Sequence, residues 1–388
     1  MMKKLSTVVA ATMATLAAGA WADTAAPAAP TLDQILAASG ITEQGYIEAA
    51  YTHYNYAAPG SVNGAPTTLN YFDNKANTFD LKQAFLQVSK LPAEGVGGLV
   101  NITTGSDADQ IKSYPYSSGA ASNSYDLTQA FLQYSHGIYS GMAGKFNTLA
   151  GAETINDSTN TNISHSIAFL NAIPFTHTGA RLTIAPTSTF SLMLGSVNGW
   201  DQQKAANAAK TTELGLAYNP TAMVSWTLQG YEGQEAASPP SGPAVAKLAS
   251  AVSTMTADRT LVDTVLTIKP TAALSLILNG DYAQQKEAFV NGNSATWSAV
   301  DLYLNYQYNT AWRSSIRLED FDDKDGYKLG YGIGNTKSYT ATVGYAPLPA
   351  LELRAEIRED KAPSAVIPKG SGFTDTVQYV ALEGIYKF

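Results

Sequence analysis

Apolar and polar residues alternate with a period of two in many short segments between residue 45 and the C-terminus. This period is typical of β-strands that have one apolar and one polar face. Connections rich in Gly, Ser, Asn, Asp and Pro separate the segments, as expected for turns and loops. We predict sixteen strands. They span residues 45–56, 78–89, 95–105, 124–135, 137–147, 176–186, 188–199, 211–219, 222–232, 259–269, 272–286, 296–308, 311–323, 337–346, 350–361 and 376–388.

The connections between these strands alternate in length. A short connection follows the even-numbered strands, as at Pro220-Thr221, and a longer one follows the odd-numbered strands, as at residues 148–175. An even number of strands with short turns at one end and long loops at the other is typical of bacterial outer-membrane barrels. The pattern predicts an all-β protein, a transmembrane antiparallel up-and-down β-barrel of about 16 strands, with both termini in the periplasm.

The C-terminal strand has the features of a closing strand. Leu382, Tyr386 and Phe388 share its apolar face, whereas Glu383 and Lys387 lie on the other face. One face for lipid and one for water is the pattern of a transmembrane β-strand. We therefore expect Tyr386 and Phe388 to form the signal that the barrel assembly machinery recognises.

The N-terminus has the features of a secretory signal. Lys3 and Lys4 precede a largely apolar stretch that ends before Ala20-Trp21-Ala22, a small-x-small cleavage site. We predict a signal peptide at residues 1–22, a periplasmic segment with a short helix at residues 23–44, and the barrel at residues 45–388. This organisation places the mature chain in the outer membrane of a Gram-negative bacterium.

Composition and charge limit the classes of partner. The chain has 388 residues, no cysteine and a formal net charge of −8, which becomes −10 once Lys3 and Lys4 are removed. An acidic chain is a poor partner for nucleic acid. The expected partners are outer-membrane lipids, lipopolysaccharide and small hydrophilic solutes, and a homo-oligomer is left open.

Charged residues recur on the face opposite the apolar one in several strands. A charge on the lipid face near the bilayer midplane costs about 2–4 kcal/mol for Arg or Lys, so these side chains are expected to point into the lumen. The predicted lumen-lining charges are Lys145, Arg181, Arg313, Arg317, Arg354, Arg358, Asp281, Asp301, Glu319, Glu352 and Glu356.

Several segments resemble the OmpL-like bacterial β-barrel porins, also called β-barrel porin family 2. They are Phe72-Asp73-Asn74-Lys75 with Thr78-Phe79-Asp80-Leu81, Gly144-Lys145-Phe146, residues 172–181 and Val197-Asn198-Gly199-Trp200-Asp201. The resemblance covers essentially the whole mature chain. It implies an outer-membrane porin fold and carries neither a defined solute nor catalytic residues.

The connection at residues 149–175 contains an apolar portion with Ile163, Ile167 and Phe169. It resembles in position the third loop of general diffusion porins, which folds into the barrel and narrows it. Glu153 and Asp157 are then candidates for an acidic pore constriction that faces a basic wall. In the alternative, the connection caps the barrel or contacts a neighbouring subunit.

Enzymatic and metal chemistry receive little support from the sequence. The four histidines lack metal-ligand spacing on a common element, and Ser164-His165-Ser166 is not a positioned catalytic triad. Asp323-Lys324-Asp325-Gly326 matches a calcium loop only in part. We expect no enzyme activity, no metal and no cofactor.

The leading hypothesis is a water-filled porin channel for passive diffusion of small hydrophilic solutes or ions, because a barrel of about 16 strands leaves an aqueous channel. The acidic excess favours a weak preference for cations. The alternative is a structural or adhesive outer-membrane barrel whose loops bind a partner without solute conduction.

Overall fold

The computed structural model describes residues 30–55, 61–62, 65–66, 69–70, 72–73, 75, 77–113, 124–205, 207–236, 256–330, 334–369 and 372–388. The predicted signal peptide, residues 1–22, lies outside these ranges. The described residues fall into two units, one that ends at Gly40 and one that spans residues 41–388.

The first unit contains helix α1, Leu32–Ser39. A reciprocal pair of hydrogen bonds starts it: the backbone N–H of Thr31 donates to Gln34 Oε1 (2.9 Å), and the N–H of Gln34 donates to Thr31 Oγ1 (3.3 Å). This capping box satisfies two N–H groups that a helix start leaves open. No helix in the described ranges is both long and apolar enough to cross a membrane.

The second unit is a closed barrel of sixteen antiparallel strands, which confirms the predicted fold class and strand count. The strands are β1 (Thr42–Tyr54), β2 (Thr78–Lys90), β3 (Gly95–Thr104), β4 (Tyr125–His136), β5 (Tyr139–Asn147), β6 (Thr176–Thr187), β7 (Phe190–Val197), β8 (Thr211–Thr221), β9 (Val224–Ala236), β10 (Thr256–Ile268), β11 (Leu274–Gln285), β12 (Ala295–Gln307), β13 (Trp312–Asp323), β14 (Gly334–Leu348), β15 (Leu351–Lys361) and β16 (Thr376–Lys387). Each strand pairs with its neighbours in sequence, and β1 pairs with β16. The alternating short and long connections therefore lie at opposite ends of the barrel.

Shorter elements lie in the long connections. Helix α2 spans Ala108–Ile111 and α3 spans Ile167–Asn171, and a 3₁₀ turn spans Asp157–Thr159. Two small ribbons pair Ser61–Val62 with Ala65–Pro66 and Ile367–Lys369 with Gly372–Thr374.

The first and last strands close the barrel. Gly45 N donates to the Phe388 carbonyl (3.1 Å), and Phe388 N donates to the Gly45 carbonyl (3.0 Å). Strand β1 begins at Thr42, three residues before the predicted start, because residues 42–44 also pair with residues 87–89 of β2. The side chains of Tyr386 and Phe388 are exposed on the outside, and their role as an assembly signal stays a prediction.

Alternation places apolar residues outside and polar residues inside. In β15, Ile357 is 60% exposed whereas the next residue, Arg358, is 2% exposed. Outward-facing Val96 and Leu132 are likewise exposed. A barrel that meets lipid on its outer face must direct its charged side chains inward.

Gly144 in β5 gives a direct test of strand packing. Its φ of +140° disfavours side chains, and an added Cβ would lie 2.2 Å from the Ala130 carbonyl oxygen of β4. We expect Gly144→Ala to lower the free energy of unfolding by at least about 1–3 kcal/mol, from backbone strain alone. Urea unfolding of the refolded barrel measures the change.

Gly141→Ala is the matched control in the same strand, since an added Cβ there meets nothing within 4 Å. It should leave the urea midpoint unchanged. Equal midpoints for the two variants would contradict the packing of β5 against β4.

Candidate functional site

Residues 148–175 connect β5 to β6 and fold against the inner face of the barrel. We call them the inner segment. Its apolar side chains Ile163, Ile167, Phe169 and Leu170 are at most 4% exposed. Their burial inside the barrel accounts for the apolar composition of a long connection, which would be costly in contact with water.

Other long connections contribute to the same apolar core. Phe72, from the connection between β1 and β2, packs with its ring centroid 6.0 Å from that of Phe175. Trp200, between β7 and β8, packs against Trp297 of β12 with the ring centroids 6.3 Å apart. The end of the barrel that bears the long connections is therefore packed from within, a feature that sequence reasoning missed. The apolar residues Phe72, Trp200, Phe289 and Leu329 within polar connections were the available signal.

An ion pair attaches the inner segment to β13. Arg317 Nη1 donates to Glu153 Oε1 (2.7 Å), and Tyr303 OH of β12 donates to the same oxygen (3.0 Å). The other oxygen of Glu153 accepts from the backbone N–H of Ser166 (2.8 Å). Arg317 is fully buried and also donates to the Ser164 carbonyl (2.5 Å). A buried pair with its remaining donors and acceptors satisfied is costly to break.

Carboxylates of the wall bind backbone N–H groups of the inner segment. Glu356 of β15 accepts from the N–H of Ile163 (2.7 Å) and of Ser164 (3.1 Å). Glu319 of β13 accepts from the N–H of Ile167 (2.5 Å). Charge-assisted bonds of this kind are about twice as strong as neutral ones.

Arginines of the wall bind carbonyl groups of the inner segment. Arg358 donates to the His165 carbonyl (2.6 Å) and Arg313 to the Thr161 carbonyl (2.7 Å). Arg354 donates more weakly, at 3.3 Å, to the carbonyl of Asp157. The predicted acidic and basic residues thus lie in direct contact rather than across an open gap.

Glu153 and Asp157 are buried in this contact region. His165 lies between them, with Nδ1 3.2 Å from Glu153 and Nε2 3.0 Å from Asp157. Burial alone would lower the pKa of His165, but the charge of Asp157 and its hydrogen bonds raise it to about 10. Burial would raise the pKa of Glu153, yet Arg317 and His165 lower it to about 2. Both groups are therefore charged at neutral pH.

The other predicted lumen charges also point inward, and most are paired. Lys145 Nζ lies 3.2 Å from Asp126, and Arg181 pairs with Glu213. Glu352 accepts from Arg313 (2.5 Å) and from Arg354 (3.1 Å). Asp281 and Asp301 lie on β11 and β12, and neither oxygen of Asp301 has a hydrogen-bond partner among the described residues.

Exposure of the inner face increases toward the end with short connections. The inward-facing side chains of Gln133, Met142, Thr183 and Thr227 are partly exposed, whereas inward side chains nearer the other end are buried. The barrel therefore has an open vestibule at one end and the packed core at the other.

The attachment of the inner segment can be tested at Glu356. Glu356→Ala leaves two buried N–H groups without an acceptor, which costs about 1–3 kcal/mol for each group. We expect chymotrypsin to cleave the variant after Phe169 at least about tenfold faster than the parent chain. Mass spectrometry of the fragments gives the rate.

Glu359→Ala is the control, since Glu359 lies on the same strand, faces outward and contacts Gln378. Its cleavage should match that of the parent chain. Unchanged cleavage in Glu356→Ala would show that Glu356 does not hold the inner segment.

Comparisons with known proteins agree with this geometry. Among solved structures, the outer-membrane channel DcaP of Acinetobacter baumannii superposes with a TM-score of 0.59 at 13% identity, over 90% of this chain and 97% of that one. OprB of Pseudomonas putida superposes with a TM-score of 0.60 at 11% identity, over 91% of this chain and 96% of that one. An anion-selective porin from Comamonas acidovorans superposes with a TM-score of 0.60 at 11% identity, over 90% of this chain and 99% of that one. At these identities the likeness shows the fold alone.

A search of curated proteins finds no match. The family model described as "Putative beta-barrel porin-2, OmpL-like" matches residues 40–388. This match covers the whole barrel and agrees with the resemblance seen in the sequence. The chain belongs to this family of outer-membrane β-barrel porins.

Proposed function

We propose that the barrel is a passive channel through which small hydrophilic solutes and ions diffuse across the outer membrane, and that the inner segment is its constriction. The observation that carries this proposal is the attachment of the inner segment to part of the wall by the buried Glu153–Arg317 ion pair and by charge-assisted hydrogen bonds. In this arrangement Glu153 and Asp157 hold the constriction in place. The long connections face the outside and the termini face the periplasm.

The distribution of contacts suggests where the path runs. Hydrogen bonds from the inner segment reach β1, β2, β9 and β11–β16. The partly exposed side chains of Gln133, Met142 and Thr183 lie on β4, β5 and β6. We place the path along the wall from β3 to β8, with the vestibule as its periplasmic mouth.

The charge of the interior supports a preference for cations. Among the residues that the structure describes, buried acidic side chains outnumber buried Lys and Arg side chains by more than two to one. Asp263 and Asp281 face each other in the register of β10 and β11, and Asp301 faces Glu319 on β12 and β13. Rings of acidic side chains favour cations in channels. The anion selectivity of the Comamonas porin belongs to that protein, whose fold alone is shared.

A structural or adhesive barrel remains the second candidate, and the apolar core supports it. Trp200, Phe289 and Leu329 pack with the inner segment at the end that bears the long connections. A core of this kind would suit a barrel that presents its loops to a partner and conducts no solute.

Planar-bilayer recording separates the two functions. The refolded chain should give discrete conductance steps, with a reversal potential in a salt gradient that indicates cation preference. Asp126→Asn/Glu213→Gln, on the β4 and β8 walls of the proposed path, should lower the cation-to-anion permeability ratio by about twofold or more. The effect should weaken near 1 M salt, where the screening length is about 3 Å.

Asp258→Asn is the control, since Asp258 is exposed and pairs with Lys286. It should leave the reversal potential unchanged. A folded barrel without conductance steps would favour the structural function, and a parent channel that prefers anions would contradict the proposed sign.

A further inference from the structure

Three carboxylates from distant parts of the chain meet inside the barrel. Glu48 lies on β1, Asp107 precedes α2 in the connection between β3 and β4, and Asp157 lies in the inner segment. One oxygen from each lies within 4.8 Å of the other two. The three residues are at most 2% exposed.

Glu48 is the unusual member of this group. It is fully buried, and neither of its carboxylate oxygens has a hydrogen-bond partner within the described part of the chain. An isolated buried carboxylate is very costly, so such groups are normally paired or bind a metal ion. The side chain of Glu48 thus lies near the carboxylates of Asp107, Asp157 and Glu383, and no Lys, Arg or His in the described part of the chain lies within ion-pair distance of it.

The basic groups nearest to Glu48 pair with the carboxylates around it and not with Glu48 itself. Lys82 Nζ lies 3.0 Å from Asp73 but 3.9 Å from Asp107. Arg354 pairs with Glu383 at 3.2 Å. His165 Nε2 lies 3.0 Å from Asp157 Oδ1, whereas the other oxygen of Asp157, Oδ2, accepts from Gln83.

Gln83 connects the two loop carboxylates. Its amide nitrogen donates to Asp157 Oδ2 (2.7 Å) and to Asp107 Oδ2 (3.3 Å). Its amide oxygen accepts from Tyr46 OH (2.5 Å), which in turn accepts from the N–H of Asp157 (3.0 Å). This network holds both connections close to Glu48.

We propose that Glu48, Asp107 and Asp157 bind one Ca²⁺ ion, which fastens the inner segment and the connection between β3 and β4 to the wall at β1. Oxygen ligands suit a hard divalent cation. Mg²⁺ dehydrates reluctantly and usually keeps several waters, whereas Ca²⁺ accepts about six to eight oxygen ligands in flexible geometry. A buried group of protein carboxylates therefore suits Ca²⁺ better than Mg²⁺.

The site goes beyond the proposed channel activity, because it acts on the attachment of the loops. The sequence could not indicate it, since residues 48, 107 and 157 are far apart in the chain. Calcium at this point would join three elements that otherwise bring negative charges together.

Isothermal titration with CaCl₂ tests the site directly, using the full-length mature chain refolded in detergent without lipopolysaccharide. We expect one Ca²⁺ per barrel and weaker binding of Mg²⁺. Glu48→Gln should weaken Ca²⁺ binding at least tenfold, and Asp107→Asn provides a second, independent variant. Asp258→Asn, an exposed carboxylate outside the group, should bind Ca²⁺ as the parent chain does.

Urea unfolding gives a second readout. Ca²⁺ should raise the urea midpoint of the parent chain above its value in EDTA and leave the midpoint of Glu48→Gln unchanged. In EDTA, the variant should be at least as stable as the parent chain. A parent chain whose midpoint ignores Ca²⁺ but falls as pH rises would show that a shared proton, and not a metal ion, compensates the group. Ca²⁺ binding that survives in both Glu48→Gln and Asp107→Asn would also overturn the proposal.

Discussion

The compensation of charge inside the barrel is the constraint on which the rest of this structure depends. Lipid outside directs charged side chains near the middle of the membrane inward, and the confined interior makes an unpaired charge costly. The ion pair between Arg317 and Glu153, at 2.7 Å, meets this constraint with a residue of the inner segment. The segment is therefore part of the electrostatic structure of the wall.

The same constraint explains which groups of the inner segment contact the charged side chains of the wall. Its polar backbone faces the charged wall, where Glu356, Glu319 and Arg358 bind N–H and carbonyl groups. Its apolar side chains join a core formed with the neighbouring connections and with inward-facing strand residues such as Leu261 and Phe321. A single segment thus satisfies wall charges and buries apolar surface.

The strands, their faces and their connections could be predicted because each depends on local pattern. A period of two indicates a strand, and the cost of charge in lipid then decides which face points inward. The partners of the inward charges could not be predicted in the same way. Glu153 and Arg317 are separated by more than one hundred and fifty residues, and their contact depends on the closure of the whole barrel. The Glu48 carboxylate group and the apolar core depend on the same long-range closure.

A double-mutant cycle between Glu153 and Arg317 tests most directly whether this buried ion pair holds the inner segment. Glu153→Gln, Arg317→Met and the double variant would be compared with the parent chain by urea unfolding. Breaking a buried pair from one side costs about 3–5 kcal/mol. We therefore expect each single variant to be destabilised by that amount, the double variant to recover part of the loss, and the coupling energy to exceed about 1.5 kcal/mol. Losses that add to within about 0.5 kcal/mol would contradict the account.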